Sequence, residues 1–135
     1  MVLTDLAHTD VPTAAPETSI GDIAAALRER DADDEVVAVL DEGRPLGLLT
    51  AADIGRAFVA GGDLASRVAG DFVEADPVTI RESAERTALV SLLAAADARR
   101  AIVVDEGDEF VGVASLDDAI RSYGRELADV LELLE

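Results

Sequence analysis

Two short stretches of the chain repeat one pattern of chemically useful side chains. Residues 47–53 and 112–118 each read glycine, two small or apolar residues, a hydroxyl residue, two spacers and an aspartate. An ionised aspartate only accepts hydrogen bonds, so Asp53 and Asp118 could each take both hydroxyls of a ribose. A hydroxyl residue at the start of a helix lies beside free backbone N–H groups, which suits a phosphate. We therefore expect function at these two motifs, called here the first motif and the second motif.

The same spacing has a second interpretation, because a hydroxyl residue followed three positions later by an acid is typical of a helix capping box. Similar boxes occur at Ser19 and Thr79, where no ligand is expected. Spacing alone favours capping, whereas the preceding glycine, the duplication and the neighbouring hairpin make ligand binding comparable. Both can hold at once. Arg56 and Arg121, one helical turn beyond each aspartate, could add positive charge if their faces point inward.

The charge balance of the chain is strongly acidic. Its 29 acidic residues outweigh eleven basic residues, all of them arginine, and leave a formal net charge of −18. Such a chain repels itself at low salt, whereas at 1 M salt screening lengths fall to about 3 Å. The composition resembles that of proteins from extreme halophiles. Because the acids are spread through both halves, we expect salt adaptation, and no nucleic-acid partner.

Length and residue content restrict the class further. A chain of 135 residues fits one compact domain. Without cysteine it has no disulfide, thiol nucleophile or thiolate metal site. No apolar run approaches the roughly 20 residues that span a bilayer, and Met1–Asp5 lacks a basic start, so we expect a cytoplasmic protein without a membrane partner. The single histidine, His8, is interpreted as an ordinary surface residue, and no metal site is expected.

The first half of the chain predicts a β-α-β-β-α order. Prolines favour an extended edge segment over residues 11–16, and a helix follows from Ser19. That helix ends at residues 31–34, and its apolar face is predicted at Ile20, Ile23, Ala24 and Leu27. Next come a hairpin with strands at residues 36–40 and 45–49, and a helix from Thr50 to about Val59, closed by Gly61–Gly62.

The second half predicts the same order. Residues 72–75 are expected to be extended, and Thr79 with Glu82 to cap a helix with an apolar face at Ala84, Ala88, Leu89, Leu92 and Leu93. Strands follow at residues 102–104 and 110–114, then a helix from Ser115 to about Tyr123. Aligning Ile20 with Ile80 implies that the second copy's first helix gains four residues, about one turn. Residues 125–135 are predicted to form a further helix whose stripe covers the core or a dimer partner: Leu127, Val130, Leu131 and Leu134.

This order, with both motifs, resembles a CBS domain pair, the tandem module named after cystathionine β-synthase. The resemblance runs from about Asp5 to about Tyr123. It is most specific where Ala101–Gly107 is followed by Gly112–Asp118, because strand, turn, strand and helix entry match together. It implies a mixed α+β fold of two β-α-β-β-α repeats, packed sheet to sheet about a pseudo-twofold axis. The corresponding segments are residues 5–62 and 63–123, followed by a C-terminal helix at 124–135.

The resemblance also implies ligands. Two clefts between the repeats would hold adenosine-containing molecules such as AMP, ADP, ATP, S-adenosylmethionine or NAD, with no cofactor required. Pairs of this family commonly form homodimers. The cleft of the second motif, expected to be the primary one, would contain Thr13, Arg99, Arg100, Ser115, Asp118 and Arg121. The cleft of the first motif, expected to be secondary, would contain Thr50, Asp53, Arg56 and, at the position aligned with Thr13, Val73 or its neighbour Glu74.

The two clefts are predicted to differ in charge. Aligning the two Asp-Glu-Gly turns places Glu35–Val36 where the second repeat has Arg99–Arg100. Arginine donors suit phosphate, and carboxylates repel it. The second motif is therefore expected to bind anionic adenosine ligands better, while the first is empty or takes a neutral or cationic ligand. A surface arginine pair at a helix C-terminus is the alternative for Arg99–Arg100.

Three functional classes follow. The leading one is a regulatory ligand-sensing module read by a separate effector protein. The alternative is a structural homodimerisation module with degenerate, unoccupied clefts. An enzyme is disfavoured, because the sequence lacks a paired histidine–carboxylate arrangement and a glycine-rich phosphate loop.

Overall fold

The computed structural model describes residues 2–29, 36–73 and 77–135, and these residues form four α-helices and two three-stranded sheets. The chain divides into two compact units. We call Asp10–Pro77 the first-motif unit, and Met1–Thr9 together with Val78–Glu135 the second-motif unit. Within the described residues, no helix is both long enough and apolar enough to cross a membrane.

The first-motif unit follows the predicted element order. Its elements are β1 (Thr13–Ala14), α1 (Ile20–Arg28), β2 (Val36–Asp41), β3 (Arg44–Thr50) and α2 (Ala51–Ala60). Strand β1 lies parallel to β2 at the sheet edge, and β2 pairs with β3 as an antiparallel hairpin. The predicted α1 face packs on this sheet, except that Ala24 is exposed, and the main buried residues are Ile20, Ile23, Leu27, Val37, Val39 and Leu49. The predicted helix end at residues 31–34 lies outside the described residues.

The second-motif unit has the same architecture. Its elements are β4 (Thr79–Arg81), α3 (Arg86–Ala96), β5 (Arg100–Val104), β6 (Phe110–Ser115) and α4 (Leu116–Leu133). Strand β4 is parallel to β5, and β5 and β6 form the antiparallel hairpin. The buried core includes Leu89 and Leu93 of α3 together with Ala101, Val103 and Ala114 of the sheet.

The predicted capping box at Thr79 is wrong. Thr79 begins β4 and pairs with Ile102, just as Thr13 of β1 pairs with Ala38. The helix begins seven residues later, at Arg86, with Glu85 as its N-cap. Parallel pairing of a β-branched segment with β5 outweighs the local capping pattern. Thr13 therefore corresponds to Thr79, and the alignment of Ile20 with Ile80 is wrong as well.

Two further expectations change. Helix α3 has 11 residues and α1 has 9, a gain of two rather than four. Of the segment expected to be extended at residues 72–75, Phe72 instead closes a short 3-10 turn, and residues 74 and 75 lie outside the described ranges.

The predicted break after Tyr123 is also absent, because α4 runs without interruption through Leu133. Gly124 is only a modest cost inside a helix, and the apolar spacing continues across it. The stripe beyond it does not cover the core of this unit, since Leu127, Val130 and Leu131 are at least half exposed.

Each unit contains the segment that precedes the other unit's first strand. Residues 3–9, which lead into β1, pack in the second-motif unit: Leu3 is fully buried and its N–H donates to the Ala84 carbonyl at 3.0 Å. Residues 69–73, which lead towards β4, pack in the first-motif unit, where Ala69 is fully buried. The repeat boundaries at residues 5–62, 63–123 and 124–135 remain a prediction.

Candidate functional site

The second motif forms the N-terminus of α4. Ser115 is the N-cap, and its Oγ accepts a hydrogen bond from the Asp118 N–H at 3.0 Å. Asp118 Oδ2 in turn accepts from the Ser115 N–H at 3.2 Å and lies 2.8 Å from the Ser115 hydroxyl. The capping interpretation is therefore confirmed. It leaves the outer edge of the Asp118 carboxylate available to other donors.

A histidine occupies that outer edge. His8 Nε2 lies 3.0 Å from Asp118 Oδ1 and 3.1 Å from Oδ2, so one ring nitrogen bridges both carboxylate oxygens. Because an ionised carboxylate only accepts hydrogen bonds, Nε2 must carry the proton and donate. The interpretation of His8 as an ordinary surface residue is wrong. Its contact is separated by 110 residues in sequence, and no local pattern indicates it.

The glycine of the motif explains how the histidine reaches the site. His8 forms an isolated antiparallel bridge with Val113, with its N–H donating to the Val113 carbonyl at 2.8 Å and its carbonyl accepting from the Val113 N–H at 3.0 Å. At Gly112 a Cβ atom would overlap the His8 carbonyl oxygen. Gly112 is therefore required for the His8 backbone to lie against β6.

The electrostatic environment of Asp118 favours its ionised form. The side chain is 12% exposed, and burial alone would raise the pKa of Asp118. Hydrogen bonds from His8 and Ser115 outweigh this effect and hold the pKa of Asp118 below its ordinary value. Arg121 Nη1, at 3.7 Å from Oδ1, places a cation beside the same carboxylate. Asp118 is therefore a partly buried, charged acceptor at a helix N-terminus.

The first motif forms the same cap at the start of α2. Asp53 Oδ2 accepts from the Thr50 N–H at 2.9 Å, and Thr50 Oγ1 accepts from the Asp53 N–H at 3.1 Å. Here the partner of the outer oxygen is Arg56 of the same helix, which forms an ion pair with Asp53 Oδ1. The Asp53 side chain is more open, at 31% exposed. Among the described residues, the hydrogen-bond and ion-pair partners of Asp53 both belong to α2 and its cap, namely Thr50 and Arg56.

The segment that packs against the motif glycine, called here the crossing segment, also differs: it is residues 3–9 at Gly112 and residues 69–73 at Gly47. Val73 packs over Gly47, where a Cβ atom would lie 3.0 Å from the Val73 Cβ. An aliphatic side chain donates no hydrogen bond, so Val73 supplies apolar contact where His8 supplies a donor. The register of β4 makes Thr79, and not Val73, the counterpart of Thr13. The alignment by which Val73 was chosen is thus corrected, while its role in a ligand site remains a prediction.

The arginine pair lies beside the second motif. Arg100 is directly opposite Ser115 in the β5–β6 ladder, and the Arg99 carbonyl accepts from the Leu116 N–H at 2.8 Å. Both arginines are exposed, and Arg99 Nη2 contacts Asp117 Oδ1 at 3.1 Å. In the first-motif unit the residue opposite Thr50 is Val36. The structure thus brings Arg99, Arg100 and Arg121 to the second motif.

Thr13 lies in β1 of the first-motif unit, where it is exposed. Its assignment to the cleft of the second motif remains a prediction.

Comparison with known families decides the identity of the fold. The family model of the CBS domain matches the chain twice, at residues 3–60 and 69–125. The chain belongs to the CBS domain family. The resemblance stated from the sequence and the mixed α+β fold are both confirmed.

Several known proteins resemble the chain over most of its length. An uncharacterised protein of Methanopyrus kandleri is 27% identical over 118 residues, which cover 87% of this chain and 60% of that protein. The CBS domain pair of protein MJ0100, solved with 5′-methylthioadenosine and S-adenosylmethionine, superposes with a TM-score of 0.78 and 19% identity, covering 93% of this chain and 98% of that one. The cytosolic domain of the Mg²⁺ channel MgtE, solved with ATP, gives a TM-score of 0.74 and 20% identity, with 90% of this chain covering 48% of that one. At these identities the two structures show the CBS fold.

Proposed function

We propose that this CBS domain pair is a regulatory module that senses adenosine-containing ligands of the AMP, ADP and ATP class at the second motif. S-adenosylmethionine and NAD belong to the same ligand class. The observation that carries the proposal is the Asp118 carboxylate, held ionised at the N-terminus of α4. The ligands of the MgtE and MJ0100 structures support the choice of class. We propose no catalysis by this module, and its signal would be read by a separate effector protein.

At the second motif, each residue is assigned a role in ligand binding from its charge and its hydrogen-bonding groups. Asp118 would accept the two ribose hydroxyls, because an ionised carboxylate is an acceptor with about four lone-pair positions. Backbone N–H groups at the start of α4, together with Ser115, would face a phosphate. Arg100, and Arg99 on leaving its contact with Asp117, would supply the positive charge that the ligand needs in so acidic a chain. Thr13, taken over from the family resemblance, is the remaining contributor to this proposed site.

The first motif is proposed as the weaker site. Arg56 at Asp53 and Arg121 at Asp118 occupy equivalent positions, so the difference in charge between the two motifs comes from the neighbouring hairpin. Val36 stands opposite Thr50 where Arg100 stands opposite Ser115, so the hairpin brings no arginine to that cap. Thr50, Asp53, Arg56 and Val73 would thus hold no ligand, or one that is neutral or cationic.

The proposal is tested by titrating AMP, ATP, S-adenosylmethionine and NAD into the protein in molar KCl and following the melting temperature. A ligand at 100 times its Kd stabilises the folded state by about 2.7 kcal/mol, a shift easily measured in a protein of this size. We expect stabilisation by at least one of the four, and none by its analogue without 2′- and 3′-hydroxyls. Equal stabilisation by the diol-less analogue would contradict the assignment of Asp118 to the ribose.

A homodimerisation module without ligand is the second candidate, and one surface favours it. The exposed apolar stripe of α4 recurs at spacings of three and four residues, the pattern that helices use to pair: Ile120, Tyr123, Leu127, Val130 and Leu134. This candidate expects a dimer in molar salt and no stabilisation by any of the four ligands. Sedimentation equilibrium beside the ligand titration separates the two.

We also propose that the protein is salt-adapted and acts in the cytoplasm. The formal net charge of −18 supports the first part, because only concentrated salt screens such self-repulsion. A melting temperature that rises steadily from low to molar KCl is the expected result.

A further inference from the structure

The Asp118 carboxylate is already occupied by donors from its own unit. Oδ2 lies within hydrogen-bond distance of the Ser115 N–H, the Ser115 hydroxyl and His8 Nε2. Oδ1 contacts His8 Nε2 at 3.0 Å and Arg121 Nη1 at 3.7 Å. With about four lone-pair positions on a carboxylate, the two hydroxyls of a ribose cannot be accommodated beside all of these donors.

Of these donors, the histidine is the one that a ligand would have to replace. The Ser115 N–H and the Ser115 hydroxyl both contact Oδ2, and both contacts belong to the helix cap. Arg121 is exposed and lies at a distance longer than a hydrogen bond. The His8 ring bridges both oxygens, which is the geometry in which a vicinal diol would approach. Its side chain is 53% exposed, so rotation of the ring into solvent releases the carboxylate without moving the core.

We infer that His8 is a built-in competitor for the ribose position of the second motif, and that an adenosine ligand binds Asp118 by displacing the His8 ring. This inference rests on the proposed function and adds its regulation. A hydrogen bond from His8 to a charged acceptor must be broken before the ligand's own bonds form, and this raises the ligand concentration at which the module responds.

Within residues 2–29, 36–73 and 77–135, a histidine competitor of this kind lies at the second motif and not at the first. There the segment crossing the glycine presents Val73, which cannot donate to Asp53. The cation at Asp53 is Arg56, on the same helix face that Arg121 has in α4. Both motifs therefore share the helix cap and the arginine that follows it, and the second motif has His8 in addition. His8 can be substituted without disturbing the cap or the arginine.

Affinity measurements on three proteins test the inference. Isothermal titration with AMP, ATP and S-adenosylmethionine in molar KCl compares the native chain with His8→Ala and with Thr9→Ala. Thr9 is a matched control, because it is exposed in the same crossing segment and, within the described residues, its side chain makes no hydrogen bond to Asp118. We expect His8→Ala to bind about three- to tenfold more tightly, the size of one exposed hydrogen bond to a charge, and Thr9→Ala to stay within about twofold.

The single histidine supplies a second readout. Because His8 is the only imidazole in the chain, its ring ¹⁵N resonances are unambiguous. In the ligand-free protein, Asp118→Asn should shift the Nε2 resonance, since the charged acceptor is gone. Saturation of the native chain with AMP should shift it the same way, whereas adenine without a ribose should leave it unchanged.

The outcomes separate the inference from the proposed function. Tighter binding by His8→Ala together with the Nε2 shift supports displacement. If the native chain binds the ligand as tightly as His8→Ala or more tightly, the inference is overturned and the proposed function is not. His8 would then either have no effect on binding or contact the ligand itself. Absence of binding by both proteins contradicts the proposed function and overturns the inference with it, even if Asp118→Asn still moves the Nε2 resonance.

Discussion

The two motifs share one residue pattern and one local structure, yet their aspartates lie in different surroundings. Thr50 and Ser115 cap their helices through the same reciprocal hydrogen bonds. Asp53 is then paired by Arg56 of its own helix, whereas Asp118 is bridged by His8, 110 residues away in sequence. A repeated local pattern therefore determines the cap, and the segment that crosses the glycine determines what the carboxylate can do.

The largest expected effect compares the two motif glycines. A Cβ at Gly112 meets the backbone of His8, which cannot move without breaking the bridge to Val113, whereas a Cβ at Gly47 meets the side chain of Val73. Gly112→Ala should therefore cost about 2–3 kcal/mol of unfolding free energy, and Gly47→Ala about 1 kcal/mol. Urea unfolding in molar KCl measures both. Equal losses would mean that the two crossing segments are equivalent.

The second comparison concerns the first residue of each unit's first helix. Helix α1 begins with the buried Ile20, and α3 begins with the buried Arg86. Arg86 donates to Ser122 at 2.6 Å and to Glu126 at 2.7 Å and stacks over the Tyr123 ring at 3.7 Å, so it joins α3 to α4. The Glu126 hydrogen bond raises the pKa of Arg86, so it stays charged throughout the usable pH range.

We expect Arg86→Ala to lower the urea midpoint, because it removes the hydrogen bonds and ring contact that join α3 to α4. Arg86→Leu, which imitates Ile20, should recover part of the loss through apolar packing. If the alanine variant unfolds at the native midpoint, Arg86 does not hold α4 in place.

The third comparison uses pH. Since the pKa of Asp118 is lowered in the folded state, its contribution to stability is present above the unfolded carboxyl pKa of about 3.9 and is lost as the pH falls through the folded value. Between pH 6 and 3 the native chain should therefore lose more unfolding free energy than Asp118→Asn does. Parallel pH profiles of the two proteins would contradict the charged contact with His8 and Ser115.

The smallest expected effect is at the first motif. Arg56 is 72% exposed, and surface ion pairs of this kind contribute about 0.2–1 kcal/mol. Arg56→Ala should thus change stability little. It should also fail to create a site for ATP, because Val36 still leaves that cap without a neighbouring arginine. A gain of ATP binding at Asp53 would show that Arg56, and not the hairpin residue Val36, prevents ATP from binding at the first motif.

Much of this fold could be predicted because its signals are local. Both hairpins, the edge strand β1 and the caps at Ser115 and Thr50 follow from alternation, turn residues and spacing within a few positions. The sequence around Thr79 predicts a cap, because its hydroxyl and the following acid have the same spacing, but pairing with Ile102 decides the structure.

The candidate site was predicted only in part, for the same reason. Its aspartate, its serine and Arg100 come from one hairpin and one helix start, so the local pattern brings them together. His8 enters through a bridge to Val113, which depends on the packing of residues 3–9 in the second-motif unit. No spacing rule connects His8 with Asp118, although the bare glycine at position 112 indicates that another backbone approaches closely there.

The asymmetry between the motifs is the central claim, and paired titrations of Asp53→Ala and Asp118→Ala test it most directly. Isothermal titration in molar KCl, with whichever of AMP, ATP, S-adenosylmethionine and NAD stabilises the native chain, should show binding close to native for Asp53→Ala. For Asp118→Ala it should show a loss of at least tenfold, the scale of hydrogen bonds to a charged group. An equal loss in both variants, or a greater loss in Asp53→Ala, would contradict the account.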